Sequence, residues 1–183
     1  MPSLVGSEMC IRDRVGIFGH SGGGFMATAA ICTYPDFYTA AVSSSGNHDN
    51  NIYNRGWVEI YNGVQESTKT IQTATGKDSI IYTFSSHVPT NMELAKNLKG
   101  HLLLVSGDQD RNVHPAHLLR MANALIQANK NFEMLLIPGA KHGYTGQANR
   151  FFEKKLWFHF AKYLLGDFSS EQFTDLDETL KIK

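Results

Sequence analysis

Gly19-His20-Ser21-Gly22-Gly23 is the stretch that most narrows what this chain can become. A short β-branched and aromatic run, Val15 to Phe18, leads into it, and a helical pattern starts at Phe25. The order is strand, sharp turn, helix, with a serine at the apex. Such a turn lifts the serine hydroxyl above the sheet and brings strand and helix almost into contact. Side chains two residues before and after the serine would then collide. The pattern therefore predicts that Gly19 and Gly23 permit close backbone approach. The N–H of Gly22, beside the serine, is expected to point to where a negatively charged oxygen would form.

This G-x-S-x-G arrangement is the nucleophile elbow of the α/β-hydrolase fold. In that fold an acid and a base follow the serine in the order Ser, Asp, His, each in a loop after a strand. The chain offers both loops. His101 to Ser106 is an unbroken apolar run, the pattern of a strand covered on both faces. Gly107-Asp108-Gln109-Asp110-Arg111-Asn112-Val113 follows it. Phe132 to Ile137 reads as the last strand, and Pro138-Gly139-Ala140-Lys141-His142-Gly143 follows that. Catalytic groups collect at such strand ends in open sheets. From the residues alone, Asp108 and Asp110 are equal candidates for the acid.

The remaining segments fit between these landmarks. Phe25 to Thr33 is small and apolar on nearly all sides, as a buried helix is, and Tyr34-Pro35 ends it. Tyr38 to Ser44 reads as the next parallel strand. Gly46 to Asn54 is a polar loop, and Trp57 to Tyr61 a short helix. Val64 to Asp78, polar and threonine-rich, is expected at the surface, and Ile80 to Phe84 is open between a strand and a helical turn. Met92 to Leu98 reads as a short helix. Ala116 to Asn129 carries Leu118, Met121, Ala122 and Leu125 at the spacing of an amphipathic helix. Asn149 to Leu165 is the last helix, closed by Gly166. The expected fold class is α/β, the C-terminal half of an α/β-hydrolase. It has a mainly parallel sheet of about four strands with flanking helices.

Composition excludes several other classes. With 42% hydrophobic residues, 19% charged residues and zero net charge, the chain is an ordinary globular one without a basic excess for nucleic acid. No apolar run reaches the roughly 18 residues of a membrane span. Cys10 and Cys32 imply no disulfide framework. His114 and His117 form an H-x-x-H without a third ligand, so no metal is expected.

Three blocks together carry a family resemblance. Gly19-His20-Ser21-Gly22-Gly23, Gly107-x-x-Asp110-x-Asn112-Val113 and His142-Gly143 resemble the catalytic domain of the prolyl oligopeptidase family of serine peptidases, in its dipeptidyl peptidase IV branch. The likeness runs from about Arg14 to Gly166. It implies Ser21 as nucleophile, Asp110 as the acid and His142 as the base, and leaves Asp108 as a solvated loop charge. Gly22 would contribute to an oxyanion hole. Tyr53, Trp57, Asn112 and Val113 match positions that handle substrate: two aromatics walling a small pocket for proline or alanine, an amide holding a carbonyl, and an apolar floor. Trp57 replaces a tyrosine of the family pattern. Ordinary packing is the other reading of these aromatics. His20 is expected to pack rather than react.

The resemblance also frames the expected organisation. Full domains of this kind commonly run to roughly 200–250 residues, and only twenty residues precede Ser21. An N-terminally truncated domain over 14–166 is expected. Residues 1–13 resemble a translated sequencing-adapter remnant and are expected to be a non-native or disordered leader, and 167–183 a C-terminal tail. A β-propeller and the first half of the hydrolase domain, with its second oxyanion donor, are the expected missing partners. The implied function is hydrolysis of peptide bonds after proline or alanine through an acyl-enzyme, without a cofactor. An esterase of the same fold and a catalytically inactive fragment are the alternatives. A peptide is the expected substrate, and a homodimer through the last helix and the strand before it is implied. Export or a periplasmic location follows from the resemblance alone.

Overall fold

The computed structural model describes residues 14–85 and 88–169. The expected leader, with Cys10, and the expected tail beyond residue 169 lie outside the described residues. In chain order the elements are β1 (Val15–His20), α1 (Gly22–Thr33), β2 (Tyr38–Ser44), α2 (Arg55–Asn62), β3 (Gln65–Gln72) and β4 (Asp78–Ser85). They continue with α3 (Asn91–Leu94) and its 3-10 extension Ala95–Asn97, β5 (His101–Gly107), α4 (Ala116–Gln127), β6 (Glu133–Ile137) and α5 (Gly146–Phe160). A π-helical turn, Ala161–Leu165, extends α5 and stops at Gly166.

Four strands make a parallel sheet in the order β1-β2-β5-β6. The expected four-stranded parallel sheet with flanking helices is what forms. Side chains alternate across a strand, and β5 shows the result. Leu102 and Leu104 join a core with Ile31 of α1 and Leu118, Met121 and Leu125 of α4. Leu103 and Val105 join another with Val42, Ile137 and, on α5, Phe152, Leu156 and Phe160. The central strands β2 and β5 are thus covered on both faces and need no polar side, whereas Phe18 of β1 and Met134 of β6 remain exposed. The C-terminal ends of β1, β2, β5 and β6 share one rim, because parallel strands all point the same way.

Two compact units divide the described chain: one runs up to His48 and resumes at Asn91, and the other spans Asp49–Thr90. The second unit adds order to a segment expected only to lie at the surface. Val64 to Asp78 is exposed as expected and contains β3, which pairs antiparallel with β4, Ile71 opposite Ser79 and Gln72 opposite Asp78. Ile80 to Phe84, open between strand and turn, lies inside β4. Nearly all of β3 is exposed, so burial never imposed an apolar–polar alternation on it. Cross-strand pairing and threonine-rich β propensity suffice.

A clasp of hydrogen bonds lies within the first unit. Where the chain leaves and re-enters the first unit, Asn91 N–H donates to His48 O at 3.0 Å. The Asn91 side-chain amide donates to His48 Nδ1 at 3.0 Å and to Phe25 O of α1 at 2.9 Å. His48 is buried and accepts at Nδ1, so its ring must be neutral. Burial, then the neighbouring His117, push its pKa down from 6.5 to about 3. Between those values the unfolded chain binds the proton and the folded chain does not. Stability from this site is complete above pH 6.5 and lost as pH falls towards 3, at up to roughly 1.4 kcal/mol per unit. Denaturant melts at pH 7.5 and pH 5 should show that loss, and His48→Gln should flatten it. An equally steep fall in the variant would remove His48 as its cause.

Candidate active site

Ser21 sits between β1 and α1 with φ 58° and ψ −122°, a conformation that non-glycine residues rarely adopt. Two backbone hydrogen bonds hold it there: Ser21 N–H to Ser44 O at 2.8 Å, and Phe25 N–H to Ser21 O at 3.0 Å. A Cβ on Gly19 would lie 2.2 Å from Gly23 O, so the close approach expected at Gly19 is present. The expectation for Gly23 is corrected: a Cβ there meets nothing within 4 Å. The Gly23 main chain, its carbonyl foremost, is what a Gly19 Cβ would strike. Gly24 is the tight position instead, because its Cβ would come 2.6 Å from Ser44 O. Gly22 begins the helix, where a first-turn N–H has no partner within the helix.

Three loops of the shared rim meet above the sheet. His142 Nε2 is 3.0 Å from Ser21 Oγ, and His142 Nδ1 is 2.8 Å from Asp110 Oδ2. The Asp110 side chain is 0% exposed and that of His142 25%. Asp110 Oδ1 accepts the backbone N–H groups of Asn112 and Val113, both at 2.9 Å. One oxygen is thereby held by the chain's own turn, and the other is left for the imidazole. Val113 is buried.

The two loops carrying acid and base are stitched together. Asp108 N–H donates to Ile137 O at 3.2 Å, and Gln109 N–H donates to Ala140 O at 3.0 Å. Gly139 N–H donates to Asp108 Oδ1 at 2.6 Å. A Cβ on Gly107 would lie 2.2 Å from Ala140 O, so only glycine lets the loops come this close. Asp108 is exposed, yet it is more than a solvated charge, because its carboxylate ties the loop of His142 to the loop of Asp110.

His20, expected from the sequence to pack, lies against the imidazole. The His20 ring faces the His142 ring, with centroids 4.8 Å apart. His20 Nδ1 is 2.9 Å from Ser44 Oγ, which donates to Tyr144 Oη at 3.0 Å. Ser45 Oγ is 3.2 Å from the same phenol. A signal was available: Ser43-Ser44-Ser45 is a buried polar run ending an apolar strand at the rim where reactive groups gather.

Tyr53 and Trp57 belong to the second unit, their rings nearly perpendicular at 5.4 Å. Tyr53 there lines a cavity of about 230 Å³ with Asn50, Asn51, Arg55 and Val58. His114 Nδ1 accepts Ala116 N–H near the start of α4, and His117 is buried. Cys32 is buried too, and that burial pushes its thiol up to about 11. Among the described residues no group of three His, Cys, Asp or Glu side chains could hold a metal ion. No helix among them is long and apolar enough to cross a membrane.

A parallel sheet whose first described strand turns through a serine into a helix packed on the sheet by one face is the architecture of an α/β-hydrolase domain. The family model for the prolyl oligopeptidase family matches residues 3–168, and the chain belongs to that family. It is 29% identical to dipeptidyl peptidase 8 of Homo sapiens over 130 residues, 71% of this chain and 13% of that protein. The crystal structure of Porphyromonas gingivalis dipeptidyl peptidase 4 superposes with a TM-score of 0.66 at 25% identity, covering 85% of this chain and 20% of that one. A solved chain from Bacteroides ovatus gives a TM-score of 0.70 at 24% identity, covering 88% of this chain and 22% of that one. The chain therefore spans between about an eighth and a quarter of the length of these relatives.

Proposed function

We propose that this chain carries the reactive centre of a serine peptidase, with Ser21 as nucleophile, His142 as general base and acid, and Asp110 as the group that orients it. The observation that carries the reading is one unbroken line of hydrogen bonds, Ser21 Oγ to His142 Nε2 and His142 Nδ1 to Asp110 Oδ2, at 3.0 and 2.8 Å. A serine hydroxyl is a weak nucleophile until a base takes its proton. His142 Nε2 takes it as Oγ bonds to the substrate carbonyl carbon. The carbonyl oxygen becomes an oxyanion, which the Gly22 N–H is poised to receive. The imidazolium, stabilised by Asp110, then gives its proton to the departing amine, and an acyl-enzyme remains. Water, activated by the same imidazole, hydrolyses it. Cleavage after proline or alanine rests on the family likeness at Tyr53, Trp57, Asn112 and Val113, as does a peptide substrate.

A fluorophosphonate probe tests the centre directly. Labelling at Ser21 in folded protein is expected, and its absence would refute the reading. In the protein that contains this chain, turnover of Gly-Pro amides is expected. Turnover of p-nitrophenyl acetate without that of Gly-Pro amides would turn the assignment to an acyl hydrolase.

The stitching carboxylate gives a smaller prediction. Asp108→Ala removes an exposed hydrogen bond that fixes the His142 loop. Labelling of Ser21 should slow roughly 2–10-fold, the kinetic equivalent of one net hydrogen bond. An unchanged rate would show that the loop keeps its place without Asp108.

A further inference from the structure

We propose that His20 is a positioning residue for His142: by one ring contact and one hydrogen-bonded chain it holds the loop that carries the imidazole. The inference rests on the reading of Ser21 as nucleophile and His142 as its base. It deepens that reading, since neither role by itself calls for a second histidine.

The contacts of His20 converge on one loop. Its ring lies against His142, with centroids 4.8 Å apart and planes at 52°. The same ring meets Tyr144 edge-on at 5.8 Å and 86°. Tyr144 is two residues beyond His142, so both contacts fall on the loop between β6 and α5. The polar atoms repeat the pattern. Ser44 Oγ donates its one proton to Tyr144 Oη at 3.0 Å. It can therefore meet His20 Nδ1, 2.9 Å away, only as an acceptor, and Nδ1 carries a proton. Ser45 Oγ is 3.2 Å from the same phenol, where either hydroxyl can donate. The chain runs in one direction from His20 through Ser44 to Tyr144. Both links have one donor and one acceptor, so they polarise one another in the same sense.

The placement has a mechanical consequence. Ser44 and Ser45 stand at the end of β2, buried in the sheet. Ser44 O also takes the Ser21 N–H at 2.8 Å. Serine backbone and imidazole loop are thus referred to the same short piece of β2, one directly and the other through Tyr144. A general base must keep its nitrogen within hydrogen-bond reach of the hydroxyl. His142 is held at Nδ1 by Asp110, and its ring is in contact with the His20 ring. Burial and then the nearby His142 keep His20 below the usual histidine value, with Asp110 and the His142 backbone acting weakly the other way. A neutral ring in that place puts no second positive charge beside the imidazolium that catalysis creates.

Labelling of Ser21 by a fluorophosphonate tests this with three variants. His20→Leu fills the space but cannot donate, and it should slow labelling roughly 5–30-fold. His20→Asn sets an amide N–H where Nδ1 was, and it should return the rate to within about threefold of wild type. Tyr144→Phe breaks the far end of the chain and should slow labelling to a similar degree as His20→Leu. The double variant His20→Leu with Tyr144→Phe should be no slower than the worse single one, because both cut the same chain. Packing alone would give the opposite order, with leucine better tolerated than asparagine, and that order would overturn the proposal. So would strictly multiplicative losses in the double variant. If His20→Leu does not fold, Tyr144→Phe labelled at the wild-type rate overturns it equally. Wild-type protein that folds but never labels would fail the nucleophile reading instead, a result distinct from these.

Discussion

Ser21→Ala should abolish fluorophosphonate labelling and lower turnover of Gly-Pro amides by roughly 10⁶ in the protein that contains this chain. The size of the loss follows from what the hydroxyl does. Without Oγ there is no acyl-enzyme, and the only remaining route is direct attack by water with help from the Gly22 N–H and substrate binding. The fold should survive. The bonds that hold residue 21, Ser21 N–H to Ser44 O and Phe25 N–H to Ser21 O, are backbone bonds that alanine keeps. Melting temperature within a few degrees of wild type, with activity gone, is the expected pair of results. Activity within a hundredfold of wild type would rule Ser21 out as the nucleophile.

Asp110→Asn should cost nearly as much, about 10⁴ in turnover, for a different reason. Asp110 Oδ1 accepts from Asn112 and Val113, and an amide oxygen can go on doing so. The other position then becomes an NH₂ that donates to His142 Nδ1, now 2.8 Å from a carboxylate oxygen. Nδ1 must become the acceptor, which leaves the ring proton on Nε2. An imidazole with Nε2–H facing Ser21 cannot take the serine proton. Circular dichroism and melting should show a folded protein, and labelling of Ser21 should slow by a comparable factor. A variant with less than tenfold loss would mean that Asp110 does not set the tautomer of His142.

Where the core dictated the pattern, the sequence could be read. Leu102 to Val105 is apolar without a break because both faces of β5 are covered, whereas Phe25 to Thr33, apolar all round, buries only the face of Ala27, Thr28, Ile31 and Cys32 and leaves Met26 exposed. The order of serine, aspartate and histidine was legible because each follows a strand end. Whether the three side chains meet depends on loop geometry that no spacing encodes. Asp108 and Asp110 show the limit: both follow β5, and only the turn that presents Asn112 and Val113 N–H groups to Asp110 separates them. Gly23 and Gly24 show it again, since the direction of one carbonyl decides which glycine is crowded. The β3–β4 hairpin was invisible for the opposite reason. Its strands face solvent, so no buried side imposed a period of two on Gln65–Gln72. Packing was legible for His20, whose ring lies against His142 and Tyr144, but its hydrogen bond to Ser44 was not, because the partner is distant in sequence and unremarkable alone.

The clasp between His48 and Asn91 bears on how such a chain can diverge over generations. Its ends are joined to each other and to Phe25, so the segment between them can be lengthened, shortened or exchanged with little effect on closure entropy. Tyr53 and Trp57, proposed to handle substrate, lie within that segment, and the proposed centre of Ser21, Asp110 and His142 lies outside it. On that proposal, exchange of the segment can bring new preferences while descendants inherit the reactive residues unaltered.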